Sequence, residues 1–334
     1  MIITQTACSS EAEPVSVDNY YLDTSCNITV YGTGEYGTAN ADAKPELDEE
    51  IAKNAIDEAY ALCAQMEKKI SKTIEVSDVS RINNANGEWV EVCDWTAELL
   101  GKGIEYSKLS DGDFDITIGG VTALWDFHAL EPKLPNSDEL SAAAQHVHYD
   151  CIELDGNRVR LSDPAAQLDL GGIAKGYIGD KMADCLIENK VNSAIINLGG
   201  NIICIGSKPS GDDFSIGIET PYSDRSEISG VLNLSDKTAV TSGVYERYFE
   251  IDGKKYHHIL STETGYPVDS DVVAVSLVTD IGRSADIDAL GTICLIKGVD
   301  QGLKLIESID GVEACFTRED GSKVLSSGME ISEP

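Results

Sequence analysis

The chain is expected to fold as an α+β protein whose sheets are mostly antiparallel. Strand-like and helix-like segments come in blocks rather than in strict alternation, which argues against a doubly wound parallel sheet. Strand patterns dominate from 202 to 278, with turns at Asp212-Asp213 and Asp252-Gly253. Helical periodicity is confined to a few long stretches elsewhere.

Taken in order, residues 9–19 read as a flexible tail, which sets 1–19 apart from a single domain over 20–330. Residues 20–32 alternate as a strand does, with Tyr21, Ile28 and Val30 apolar. Over 46–70, Ile51, Ala55, Ala59, Leu62, Met66 and Ile70 fall on one helical face. A second helix fits 94–109 with Asp94 as its cap. A short helix fits Asp138 to His146, after Ser137. Residues 150–170 suggest two strands around Asp155-Gly156. A helix over 172–190 precedes a strand at Ala194–Leu198, and helices return at 284–297 and 299–308. No repeat or low-complexity linker interrupts this order.

The 334 residues suffice for a large core, and the apolar fraction of 42% is ordinary for a globular protein. A formal charge of −33 argues against nucleic acid and anionic membrane surfaces as partners. An anionic ligand would therefore need a local basic or metal-bearing site. The nine cysteines show no zinc spacing, and the odd number argues against a complete disulfide framework. Cys63, Cys185, Cys204 and Cys294 sit among apolar residues, as reduced core cysteines do. Thr6-Ala7-Cys8-Ser9-Ser10 with the following Glu11-Ala12-Glu13-Pro14 resembles a bacterial lipoprotein cleavage site and tether. A trimmed signal and a chance similarity both fit, since no positive start or long apolar region precedes it. No apolar run of about 18 residues occurs, so membrane contact is expected only through a lipid anchor at Cys8.

Asp169-Leu170-Gly171-Gly172-Ile173-Ala174-Lys175-Gly176-Tyr177 is the most telling segment. Paired glycines at a helix start admit a ligand to the backbone, and the helix dipole favours a phosphate there. Lys175 adds a full charge at the helix end where cations are normally avoided. A solvated lysine at an ordinary loop–helix junction is the competing reading.

Other segments carry similar pairs of readings. Gly32-Thr33-Gly34-Glu35-Tyr36-Gly37 matches GxGxxG but does not open a helix, so a dinucleotide fingerprint is not expected. Asn197-Leu198-Gly199-Gly200-Asn201 is either a tight turn or a close approach to ligand. Thr241-Ser242-Gly243 reads as a turn whose hydroxyls and amides suit phosphate, or as a structural turn. His257 and His258 point to opposite faces of a strand, so they are not expected to share a metal; one of them can serve as a general base. Asp288 and Thr292 share a helical face and offer hard oxygen donors to Mg²⁺, or simply mark an acidic helix start. Asp113-Phe114-Asp115-Ile116-Thr117 and Leu124-Trp125-Asp126-Phe127 suit a planar ligand or a core with turns.

In this order and spacing the segments resemble the FAD:protein FMN transferase family, also called ApbE. The resemblance runs from about Leu22 to Gly328 and rests on residues 22–24, 111–127, 169–177, 197–201, 241–249, 258–268 and 288–292. It implies a T-fold-like, two-lobed architecture with an FAD cleft between the lobes. It also implies a reaction, in which FAD and a protein Thr or Ser give a phosphoester-linked FMN-protein and AMP, with Mg²⁺. Under it, Asp169 and Lys175 contact FAD, and Asp113, Phe114 and Asp115 line the flavin site with Leu22 and Ile259. Thr241, Ser242 and Gly243 sit near the diphosphate. The carbonyl of Gly172, Asp288 and Thr292 bind Mg²⁺, and His258 takes the acceptor proton.

The acceptor implied is a flavoprotein subunit of a redox complex or an extracytoplasmic reductase, which places the enzyme in the cell envelope. Two other activities remain open at this stage: hydrolysis of FAD to FMN and AMP, and flavin binding without turnover by a lipoprotein. The chain departs from the family pattern at Ser261-Thr262-Glu263, where Asp-Pro-Arg is common, and at Gly120 and Gly291.

Overall fold

In the computed structural model the described residues are 13–37, 46–223 and 227–334. β1 (Val15–Tyr21) and β2 (Thr24–Thr33) pair as a hairpin whose turn holds Leu22 and Asp23 at φ 55 and 59. α1 (Glu49–Ile70), α2 (Asp78–Asn83), β3 (Val90–Glu91) and α3 (Asp94–Leu109) follow. Next come α4 (Gly119–Thr122), α5 (Ser137–Ala144), β4 (Ile152–Asp155) and β5 (Arg158–Leu161), the last two forming a small sheet with β3.

α6 (Ala174–Glu188) leads into the hairpin β6 (Val191–Leu198) and β7 (Asn201–Ile205). β8 (Phe214–Glu219) and β9 (Ile228–Leu234) form a ribbon, as do β11 (Tyr248–Ile251) and β12 (Lys254–His257) after β10 (Lys237–Gly243). β13 (Ala274–Asp280), α7 (Ser284–Ile306), β14 (Glu313–Thr317) and β15 (Lys323–Leu325) complete the chain.

The main sheet runs β1-β2-β6-β7-β10-β13-β14-β15, every neighbour antiparallel and every strand met in chain order. The α+β, antiparallel expectation therefore holds. Period-two alternation divides the sheet between two cores. Ile196, Val275 and Leu277 face the large core with α1, α6 and α7. Ile195, Ile202 and Val278 face a second core closed by Phe214, Ile218, Leu232 and Leu234 of the β8–β9 ribbon. A third, aromatic cluster of Trp125, Phe249 and Leu260 joins α4, α5 and the β11–β12 ribbon.

Several local expectations change. The tail read through residue 19 yields at Val15 to the edge strand β1, because seven residues find register partners on β2. Residues 9–12 and Cys8, with the lipid anchor read there, lie outside the described residues. Asp94 is the first residue of α3 rather than its cap, which is Cys93; α5 begins one residue earlier than expected, at Ser137, and Asn136 caps it by accepting from the amides of Asp138 and Glu139. Thr241-Ser242-Gly243 is not a turn but the end of β10, paired with Ser276, Val275 and Ala274. The two C-terminal helical stretches stand as expected: Gly298, non-helical at φ 72 and ψ −179, divides α7 there, and Asp271 accepts from the amide of Val299 at 3.0 Å. No helix follows the GxGxxG match among the described residues until Glu49, as expected.

Candidate functional site

The start of α6 has no capping side chain of its own, since Ile173 occupies the cap position. The missing acceptor comes from α7: Asp288 Oδ2 accepts the Gly176 amide at 3.0 Å. The exchange is mutual. The cap residue of α7, Arg283, also offers no cap, and Asp180 of α6 accepts the amides of Ser284 and Ala285 at 2.9 and 3.1 Å. Gly176 makes this approach possible, because a Cβ there would overlap the backbone of Ser284 and Ala285. Burial pushes the Asp180 carboxyl up to about 6, against the two amides that favour its charged form.

Around this cross-capped pair the expected residues gather. Asp288 is buried, and the Lys175 ammonium lies 3.7 Å from its Oδ1. A Cβ on Gly172 would stand 3.5 Å from Thr292 Oγ1 and 2.9 Å from the Phe114 ring, so Gly172, Thr292 and Phe114 are immediate neighbours. Ser242 closes on Gly291 of α7, whose lack of a side chain leaves room for the Ser242 hydroxyl. A side chain at 291 would collide with the Ser242 hydroxyl.

Asp169 stands at the other side of the α6 start. Its Oδ1 accepts the Gly171 amide at 2.9 Å, and its Oδ2 accepts from Lys72 at 2.6 Å and Thr122 at 2.7 Å. Burial opposes its charge, but Lys72 and these donors together hold the carboxyl below the usual carboxylate range. Lys72 follows the end of α1 and Thr122 ends α4. Lys72 lies in no motif, and Thr122 lies within 111–127 with no role assigned to it, so only the fold pairs them with Asp169.

His258 follows β12 beside the aromatic cluster, its ring 6.4 Å edge-on from that of Phe127. Its amide donates to the Arg247 carbonyl at 3.1 Å, and Nδ1 lies 3.2 Å from the same oxygen. A carbonyl only accepts, so Nδ1 carries the proton and Nε2 keeps its lone pair. Burial pushes the imidazole down to about 4; the Arg247 carbonyl opposes that, while the charges of Arg247 and Lys175 reinforce it. His258 is thus a neutral imidazole at neutral pH.

The remaining expected residues are held within the protein as follows. Asp113 pairs with Lys297 of α7 at 2.5 Å. Asp115 is buried and accepts from the Thr117 amide and hydroxyl and from the Tyr149 amide, with burial raising its carboxyl. Leu22 donates its amide to Glu67 of α1 at 2.9 Å. Thr241 Oγ1 lies 2.8 Å from Ser276 Oγ, and Gly243 is covered by the Tyr245 ring. Ile259 is buried in the large core.

Among the described residues no group of three or more His, Cys, Asp or Glu side chains is arranged to hold a metal ion. Gly172, Asp288 and Thr292 would offer a single carboxylate with a carbonyl and a hydroxyl. That hard-oxygen set suits Mg²⁺, which binds through one or two carboxylates and keeps water and phosphate oxygens for the rest. The burial of Asp288 beside a single, distant ammonium fits the same ion.

Comparison with known proteins shows the family. A family model described as the ApbE family matches residues 22–316. The FAD:protein FMN transferase of Treponema pallidum is 32% identical over 292 residues, covering 82% of this chain and 80% of that protein. The protein of the same name from Klebsiella pneumoniae is also 32% identical, covering 81% and 84%. The crystal structure of the ApbE protein from Thermotoga maritima superposes with a TM-score of 0.80 at 28% identity, covering 94% of this chain and 97% of that one. The apo flavinyl transferase ApbE of Pseudomonas stutzeri gives 0.78 at 26% identity, covering 94% and 95%.

Proposed function

The chain belongs to the ApbE family and is an FAD:protein FMN transferase, and we propose that it moves FMN from FAD to a Thr or Ser hydroxyl of a target flavoprotein and releases AMP. The observation that carries this reading is the contact of His258 Nδ1 with the Arg247 carbonyl at 3.2 Å, from which the tautomer follows. With Nδ1–H committed to the Arg247 carbonyl, Nε2 is the free base, and Lys175 lies near enough for its charge to act on the ring.

The acceptor hydroxyl gives its proton to His258 Nε2 as its oxygen attacks the phosphorus of the FMN half. The new P–O bond forms as the bond to the bridging oxygen breaks, and AMP departs with that oxygen. Negative charge grows on the phosphoryl oxygens, and Lys175 with the amides at the α6 start would offset it. Phe114 against Gly172 offers the flavin an apolar wall, and Asp169, fixed by Lys72 and Thr122, is an oriented acceptor for FAD. Mg²⁺, held by the Gly172 carbonyl, Asp288 and Thr292, would supply further charge relief on the diphosphate. A base such as His258 typically contributes about 10² to 10⁴ in rate.

We place the enzyme outside the cytoplasm, in the cell envelope, on the lipoprotein-like stretch around Cys8, with a redox subunit or reductase as its acceptor. The test is incubation with FAD and Mg²⁺, with and without a Thr-bearing acceptor peptide, following AMP, FMN and peptide mass. A peptide gaining FMN with matching AMP supports the transfer to a hydroxyl. Free FMN and AMP with no adduct would replace it with hydrolysis.

A further inference from the structure

Arg247 stands in the connection between β10 and β11, and both of its ends bear on the site. Its carbonyl holds His258 by the amide and by Nδ1, at 3.1 and 3.2 Å. Its guanidinium is directed to Asp23, 3.7 Å away, in the turn between β1 and β2. Asp23 also accepts from the Tyr20 hydroxyl at 3.0 Å and lies 3.7 Å from His128 Nε2. His128 follows Phe127, whose ring faces His258. Three separate segments therefore meet beside the base, with Asp23 as their common anion.

The Arg247–Asp23 pair is long and wet: the two side chains are 45% and 62% exposed. A pair of that kind holds weakly. A phosphate offers a guanidinium a bidentate, doubly charged partner instead, and the exchange favours the phosphate. In a chain of net charge −33, a cation beside the base is scarce.

We propose that Arg247 is a second phosphate-binding residue of the site, in addition to Lys175, and that Asp23 holds its guanidinium until FAD displaces it. The inference rests on the placement of the diphosphate beside His258. The arrangement makes Asp23 an internal competitor of the substrate, so the two residues have opposite effects on affinity.

The test is a double-mutant cycle read by flavin fluorescence, titrating FAD into the full chain with Mg²⁺ present. Arg247→Gln should weaken FAD binding about ten-fold or more, the loss of a charge-assisted contact, and Arg247→Lys should recover part of it. Asp23→Asn should tighten FAD binding about two- to five-fold, since an exposed pair resists by no more than that. Asparagine tolerates the left-handed backbone at this position, φ 59, so the turn survives. In the Arg247→Gln background, Asp23→Asn should change nothing. Equal FAD affinity of Arg247→Gln and the parent, or a tightening by Asp23→Asn that persists without Arg247, would overturn the proposal. Absence of FAD binding by the parent chain would instead remove the transferase reading beneath it. Equal thermal melts across the set establish that the changes act on binding.

Discussion

Asp288 on α7 accepts the backbone amide of Gly176 on α6 at 3.0 Å. With Asp180 accepting the first two amides of α7 in return, each helix supplies the cap the other lacks. Both helix starts are thereby fixed relative to one another. The glycine segment, Lys175 and Thr292 are displayed from those starts, so their mutual geometry depends on two carboxylates far from each other in the chain.

Asp288 accepts the Gly176 amide, and under the proposed function it also offers an oxygen to Mg²⁺. Asp288→Asn keeps an oxygen for the amide and should fold like the parent, yet require at least about ten-fold more Mg²⁺ for half-maximal transfer. Asp288→Ala should also lose about 1–3 kcal/mol of stability from the buried amide left without a partner. An Asn variant with an unchanged Mg²⁺ titration would take Asp288 out of the metal site.

Asp180→Ala strips α7 of its cap and should cost about 1–3 kcal/mol in denaturant titration at pH 7. The carboxyl is raised from the usual range to about 6 by burial. Between those values the folded chain binds more protons than the unfolded one. The contribution of this group thus falls as pH rises through about 4 to 6. The stability difference between parent and Asp180→Asn should vary with pH across that window and be flat above pH 7.

Under the proposed function, loss of His258 removes the base and not the flavin pocket. His258→Ala should lower transfer by about 10² to 10⁴ and leave the Kd of FAD within about two-fold; an unchanged rate would exclude His258 from the chemistry.

The pH profile follows from the same residue. Its imidazole is held down to about 4, mainly by burial, so the neutral form persists as pH falls below the ordinary 6.5. Activity against pH should therefore show an acid limb well below 6.5. A limb at 6.5 would mean that the ring titrates as a solvated histidine.

Gly291 gives room to the Ser242 hydroxyl. Gly291→Ala should overpack that contact at a cost of about 1–3 kcal/mol, visible as a lower Tm. Adding Ser242→Gly should restore most of the loss. Failure of that rescue would show the cost to lie elsewhere on α7.

Helix positions were legible because period and punctuation are local. The apolar stripe of 46–70 became α1 within a few residues, and the interruption at Gly298 was already visible between 297 and 299. The Asp169–Tyr177 segment was recognised by its glycines and lysine. Thr241-Ser242-Gly243 was misread as a turn, because polar residues and glycine end a strand and make a turn with the same composition; pairing with β13 decides between them. β1 was read into the tail because its apolar alternation, Val15 and Val17, is cut short by Asp18-Asn19, too brief to mark an edge strand.

What the sequence determined by itself was the inventory: an α+β chain, its longer helices but not the short α2 and α4, and the segments of a flavin transferase in their order. These depend on residue type and on spacings within about one or two turns. What only the tertiary structure decided was partnership. Lys72 meets Asp169 across 97 residues, Gly176 meets Asp288 across 112, and Asp180 meets Ser284 across 104. No local pattern encodes such pairs. They arise because α6 and α7 start side by side on one face of the sheet, and a buried amide or carboxylate must find its partner wherever the packing brings one.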